Sequence, residues 1–192
     1  MGDHQPADDR IRFQALYEAH YRALVAYTHR RTADPADAQE VVAETFTIAW
    51  RRLAEVPECE AALPWLYGVA RRVLANQRRG NRRRSELAAR LRTQQPDTVE
   101  FEGGIVASDE RRIVLAALGR LRPADQELLR LAVWEELPHR DIAMVVGCAE
   151  SSVAVRLHRA RHRLAREIGK EERRSGHGGD EGPRAASGRS TP

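Results

Sequence analysis

Two arginine runs hold most of the residues in this sequence whose types and spacing could do chemistry. Residues 71–92 carry nine arginines against one acid, Glu86. Further on, Arg156, Arg159, Arg161, Arg163 and Arg166 follow one another with no acid between Ser151 and Arg166. Fixed guanidinium charge at that density suits a polyanion, because each arginine that meets a phosphate releases a condensed counterion. Trp65 and Tyr67 stand just upstream of the first run, and aromatic rings beside arginines are what unpaired bases stack on. For either run alone a solvated helix face is the alternative reading, and Trp65 reads equally well as core. Exposed helices usually mix both signs of charge, so the missing acids favour DNA for the second run.

Composition excludes much else. The chain has 192 residues, 42% of them hydrophobic, enough for one ordinary domain or two small helical ones. Its formal charge of +4 and pI near 9.6 understate how unevenly the charge is spread. Cys59 and Cys148 lie far apart with no ligand partner at metal spacing, so no disulfide framework or zinc site is indicated, and both are expected to be buried small apolar residues. No phosphate loop, metal triad or nucleophile elbow is present. The chain is therefore not expected to be an enzyme or to carry a cofactor. No stretch approaches the ~18 apolar residues of a membrane span, so no membrane insertion and a cytoplasmic location are expected.

The elements that must position these residues read as helices throughout. Phe13, Leu16, Tyr17, Tyr21, Leu24 and Val25 recur at helical spacing to about Arg31, after an N-terminal segment, 1–12, expected to be disordered. Asp34-Pro35-Ala36-Asp37 supplies a capping residue, a proline at the first helical position and an acid in the first turn of a second helix. Its apolar stripe is Val42, Phe46, Ala49, Trp50 and Leu53, opposite a polar stripe of Glu40, Glu44, Thr47 and Arg51. Pro57 to Glu60 breaks that helix, and Pro64 starts a third with Trp65, Leu66, Val69 and Val73 inward, ending in arginines. Residues 85–110 read as a flexible linker and 169–192 as a disordered tail.

A second domain, 111–168, ends in a helix-turn-helix pattern. Ile142, Ala143 and Val146 form the inner face of a short support helix, Gly147 supplies the turn, and Val153, Leu157, Ala160, Leu164 and Ile168 make the inner stripe of a longer helix. Its arginines then fall away from the core. Ser151 and Ser152 sit where hydroxyls and backbone N–H groups at a helix N-terminus suit a phosphate. Arg156, His158 and Arg159 are the candidates for the major groove, with arginine able to bridge guanine O6 and N7. A passive surface role is the equal alternative for His158.

Asp37-Ala38-Gln39-Glu40-Val41-Val42-Ala43-Glu44-Thr45-Phe46 with Ala49-Trp50 resembles region 2 of the bacterial sigma-70-type sigma factors, and so does Trp65-Leu66-Tyr67-Gly68-Val69-Ala70-Arg71. Leu121-Arg122-Pro123-Ala124-Asp125-Gln126 and Asp141-Ile142-Ala143 through Arg156-Leu157-His158-Arg159-Ala160-Arg161 resemble region 4. The match covers about 13–84 and 111–168. The lack of an N-terminal inhibitory region and of a middle helical domain points to the extracytoplasmic-function group. The resemblance implies an all-α fold of two small domains, a region 2-like helical bundle and a region 4-like helix-turn-helix domain, joined by the linker. It also implies an alternative sigma factor that binds core RNA polymerase through the β′ clamp helices and the β flap and directs promoter recognition and melting.

By the same resemblance, Asp37, Glu40, Glu44, Thr47 and Arg51 meet the polymerase. Trp65, Arg71, Asn76, Arg78 and Arg79 hold the −10 strand, with a flipped base placed in the loop Pro57–Leu63. Ser151, Ser152, Arg156, His158 and Arg159 read the −35 element. An anti-sigma factor is a candidate regulator. The chain departs from the family pattern at Gln39-Glu40, Arg72, Asn76, Glu150-Ser151-Ser152 and Ala154-Val155, so its promoter sequence is expected to differ from the family average. The alternative function is an autonomous helix-turn-helix transcriptional regulator.

Overall fold

The computed structural model describes residues 6–91 and 108–176, which are helical apart from their connecting turns. Of the expected linker, 85–110, residues 92–107 lie outside the described residues, as does the tail beyond 176, whereas 85–91 and 109–110 are helical rather than linker. Among the described residues there is no strand. The first helix, α1 (Pro6–His29), starts ahead of Phe13, so residues 6–12 are not a disordered lead. Pro6 at its start and Asp8 and Asp9 in its first turn favour a helix N-terminus. Arg12 then anchors it, donating from Nη2 to the Val56 carbonyl at 2.7 Å.

α2 (Pro35–Arg51) begins where the sequence places it. The Asp34 carboxylate accepts from the Ala36 N–H at 2.8 Å, a cap worth about 1 kcal/mol. The helix buries Ala38, Val41, Val42, Thr45, Phe46 and Ala49. Thr45 donates its hydroxyl to the Val41 carbonyl at 2.7 Å, so no polar group is orphaned there. Trp50 departs from the inward expectation and is 46% exposed. Leu53 and Val56, buried around a 3-10 turn at Leu53–Glu55, fill the inner side instead. The Trp50 ring lies edge-on to Phe13, centroids 5.1 Å apart.

α3 (Ala62–Leu91) is longer than expected and carries the backbone through the arginines to Leu91. It buries Leu66, Tyr67, Val69, Ala70 and Leu74 against α1 and α2. Leu24, Tyr27, Val41 and Leu66 have no exposed surface, and each such leucine contributes roughly 1.5–3 kcal/mol relative to leaving it in water. Before α3, Cys59 stands exposed in the left-handed region at φ 54° and Cys148 is half-exposed, so neither is the buried apolar residue expected. Both sit in short turns between helices, where no core forms around them.

The later helices are α4 (Asp109–Gly119), α5 (Pro123–Val133), α6 (His139–Val146) and α7 (Glu150–Gly176). Ser108 caps α4, and the Gln126 amide ties the α4–α5 turn by donating to the carbonyls of Gly119 and Leu121 at 3.1 and 2.9 Å. Gly147 ends α6 at φ 72°, ψ 49°, and the N–H groups of Gly147 and Cys148 both donate to the Ala143 carbonyl. Only a residue without Cβ enters that region freely. Ile142, Ala143 and Val145 are buried, with Val145 taking the inner place expected of Val146. Val153, Leu157 and Ala160 are buried on α7, while Leu164 and Ile168 are half-buried. α7 runs past Gly169 into the expected tail because Lys170 pairs with Glu167, Arg174 with Glu171, and Arg120 with Glu171 at 2.8 Å.

The described residues fall into two compact units, those within Met1–Gly104 and Arg130–Val155, and those within Ile105–Leu129 and Arg156–Pro192. The first unit therefore contains α6 as well as α1, α2 and α3, and α6 packs on α3. No described helix is long and apolar enough to cross a membrane, and no group of three or more His, Cys, Asp or Glu among the described residues could hold a metal ion.

Candidate nucleic-acid interface

On α3 the expected strand-holding residues divide by how they are held. Trp65 is half-buried, with the Arg52 guanidinium 6.0 Å from its ring centroid, at the outer limit of a cation–π contact. Arg71 is partly exposed, and Asn76, Arg78 and Arg79 are exposed. Arg79 donates to the Asn76 side-chain oxygen, and Arg78 donates to the Arg31 carbonyl at 2.9 Å. These fixed guanidiniums lose less side-chain entropy on meeting a phosphate than free ones would.

Tyr67 is not the base-stacking ring its position suggests. It is buried and stacked on Tyr27, centroids 4.4 Å apart. Burial first, and then the nearby Glu135 charge, push its phenol up to about 12.

A cavity of about 480 Å³ opens beside the loop that leads into α3, lined by Arg12, His20, Val56, Pro57, Glu58 and Cys59 among others. Its size falls within the range of small-molecule sites. Burial holds the His20 imidazole below its ordinary value, so the ring facing this cavity is neutral near pH 7. Pro57 and the left-handed Cys59 shape its lip.

On α7, Ser151 is exposed and Ser152 half-exposed in the first turn, while Arg156, His158, Arg159, Arg161 and Arg166 are exposed. His158 lies edge-on to His162, centroids 4.5 Å apart. Arg163 does not share that free face, because it donates to both carboxylate oxygens of Asp125 at 3.0 and 2.8 Å. Val155, which the apolar stripe leaves aside, is 50% exposed one residue before Arg156. An apolar side chain among arginines can meet a thymine methyl.

On α2 the polar stripe faces outward, with Glu40, Glu44, Thr47 and Arg51 exposed. Asp37 is half-buried and, with Glu40, accepts from the Gln77 amide at 3.3 and 3.2 Å, joining α2 to α3. Beside the stripe lies a groove of about 590 Å³ walled by Phe13, Tyr17, Tyr21, Phe46 and Trp50. Tyr17 packs on Phe46 at 4.7 Å and on Tyr21 at 5.0 Å. Helical spacing alone puts Tyr17, Tyr21 and Trp50 on the inner stripes, yet all three are half-exposed. The signal that could have set them apart is that three aromatics flank the polar stripe.

Comparison with known proteins gives a consistent pattern. Residues 16–84 match Sigma-70 region 2, and residues 111–164 match Sigma-70, region 4. Over 150 residues the chain is 31% identical to the ECF RNA polymerase sigma factor SigL of Mycobacterium tuberculosis, covering 77% of this chain and 83% of that protein. It is 28% identical over 168 residues to the RNA polymerase sigma factor YlaC of Bacillus subtilis, covering 84% and 94% respectively. Among solved structures, the sigma factor RpoE in complex with the anti-sigma factor NepR from Bartonella quintana aligns with a TM-score of 0.60 at 22% identity, over 81% of this chain and 96% of that one. CnrH in complex with the cytosolic domain of CnrY aligns with a TM-score of 0.56 at 20% identity, over 82% and 88%. At these identities the likeness is one of fold.

Proposed function

Because the chain belongs to the sigma-70 family of RNA polymerase sigma factors, in its extracytoplasmic-function group, we propose that it is a non-catalytic subunit which gives core polymerase its promoter specificity in the cytoplasm. The observation that carries this is the occurrence, in family order, of regions 2 and 4 with an exposed arginine row on α3 and another on α7. Arg71, Asn76, Arg78 and Arg79, with Trp65, hold the −10 strand. The cavity beside Pro57 and Cys59 takes a base turned out of the helix. Melting without ATP needs binding energy that favours the unpaired form, and each stacked base supplies about 1–3 kcal/mol.

In region 4, Ser151 and Ser152 meet phosphate, and Arg156, His158 and Arg159 read the −35 base edges. Asp37, Glu40, Glu44, Thr47 and Arg51 dock on the β′ clamp helices, and the aromatic groove beside them extends that surface. The β flap is the partner of region 4. An anti-sigma protein is the regulator this reading assigns, since RpoE and CnrH were each solved with a bound partner, RpoE's being the anti-sigma factor NepR. Run-off transcription from genomic fragments, with core polymerase and with or without the chain, tests the function and finds its promoters. Absence of any chain-dependent transcript, together with absence of binding to core polymerase, would overturn it.

A further inference from the structure

Two of the histidines in the sequence, His158 and His162, stand four residues apart on α7. Side chains at that spacing share one face of a helix and meet one turn above the other. Both residues are exposed, and their rings lie edge-on, with centroids 4.5 Å apart and planes inclined at 74°. An ion about 2.0–2.1 Å from one nitrogen of each ring, with an angle of roughly 90–110° at the metal, sets the centroids about 4.5–5 Å apart. The pair therefore already has the separation that a shared ion requires. Imidazole nitrogens are ligands for zinc and its neighbours in the first transition row, whereas magnesium and calcium take oxygen. Exposure of both rings leaves the approach open to an ion and to water.

We propose that His158 and His162 form a two-ligand site for one divalent late transition-metal ion, of which Zn2+ is representative, and that loading it withdraws His158 from reading the −35 bases. Among the described residues no third His, Cys, Asp or Glu joins the pair, so water completes the coordination shell and the ion exchanges readily. A structural zinc, by contrast, is closed by four protein ligands. Arg159, Arg161 and Arg166 are exposed around the pair, and water and salt screen their repulsion of a cation. They lower the affinity without closing the site, since the ring nitrogens bond the metal directly. A ring nitrogen bound to a metal has neither a lone pair nor a proton to offer a base edge, and the ion's waters stand between that ring and the groove floor. Arg156 and Arg159 keep their contacts, so loading the site blunts discrimination between promoters more than it lowers total affinity. The link to promoter choice rests on reading α7 as the −35 helix, whereas the metal site does not.

The test titrates Zn2+ into the full chain by isothermal calorimetry, in a buffer that does not bind metal, for wild type and His162→Ala. Loss of one exposed ring should leave far-UV circular dichroism unchanged and weaken the binding of one zinc ion about tenfold or more. Zinc held by the two cysteines or by other histidines is common to both proteins and cancels in the comparison. Mg2+ at the same concentration should not displace the ion. Polymerase holoenzyme is then titrated on matched and scrambled upstream sequences, at a Zn2+ concentration that loads wild type only. Zn2+ should lower the ratio of matched to scrambled affinity about tenfold in wild type and leave it unchanged in His162→Ala, which still carries His158. Identical isotherms, or displacement by Mg2+, overturn the ion site, and an unchanged ratio in the loaded wild type overturns its link to promoter choice. Absence of discrimination by either protein without Zn2+ would instead overturn the role given to α7 in the proposed function, with the isotherms still deciding the site.

Discussion

Arg163 on α7 grips Asp125 near the start of α5 with both carboxylate oxygens engaged, across 38 residues of sequence. The basic face of α7 is thereby divided into one arginine that fixes the helix and others left for a ligand. Asp125 is nearly buried and Arg163 about a third exposed, so the pair contributes to stability in the range of an ordinary charged hydrogen bond. Asp125→Ala should lower stability by about 1–3 kcal/mol, read as a fall in the thermal midpoint. An unchanged midpoint would mean that the pair is only a surface contact.

Arg159→Ala should behave differently. It should leave the midpoint unchanged and weaken binding to the −35 element by roughly 1–3 kcal/mol, measured by titration of polymerase holoenzyme against matched and scrambled upstream sequences. An equal loss on both sequences would make Arg159 a phosphate contact rather than a reader of bases.

Charge reversal at Glu44 and Arg51 should weaken association with core polymerase without altering the fold, since both side chains are exposed. Trp50→Ala should cost about 2 kcal/mol or more of the same association if the aromatic groove is part of that interface. Pull-down by core polymerase at graded salt reads both effects. Unaltered affinity in the reversal variant would remove α2 from the docking surface.

The pH limits of stability follow from one buried ring and one half-buried ring. The Tyr67 phenol is raised from its ordinary value of 10 to about 12. The unfolded chain loses that proton first, so stability should fall as pH rises from about 10 towards 12. Tyr67→Phe should flatten the alkaline limb of a stability profile obtained by denaturant titration.

At the acid end the sign reverses. His20 is held below its ordinary value of 6.5 by burial, so the unfolded state takes up a proton that the folded state resists. Stability should decline as pH falls below about 6.5. His20→Gln should remove that part of the slope, and a parallel slope in the variant would place its origin elsewhere.

Much of this architecture is written locally. Asp34-Pro35 marks the start of α2, Gly147 the end of α6, and the spacing of Val153, Leu157 and Ala160 the inner side of α7. Local periodicity could not choose between Trp50 and Tyr67, because each stands next to a well-buried stripe. Contacts far along the chain decide it, Tyr67 stacking on Tyr27 in the core and Trp50 lying edge-on to Phe13 at the surface. The same holds for Arg163, whose spacing matches that of the free arginines and whose partner lies on another helix. The extent of α1 was signalled by Pro6, Asp8 and Asp9, but no apolar residue among them indicated packing. The polar end of α7 is held by ion pairs that hydrophobic spacing does not detect.

Nothing lies within 4 Å of where a Cβ on Gly147 would sit, yet its φ is +72°. The obstacle to other residues at this corner is thus torsional, about 1–2 kcal/mol for an L side chain, rather than a collision. Asparagine, which tolerates the left-handed region, is the mildest exchange there, and a β-branched residue the harshest. The left-handed step at Gly147 sets where the backbone leaves the support helix, so an exchange there strains the corner without pushing a new side chain into the core.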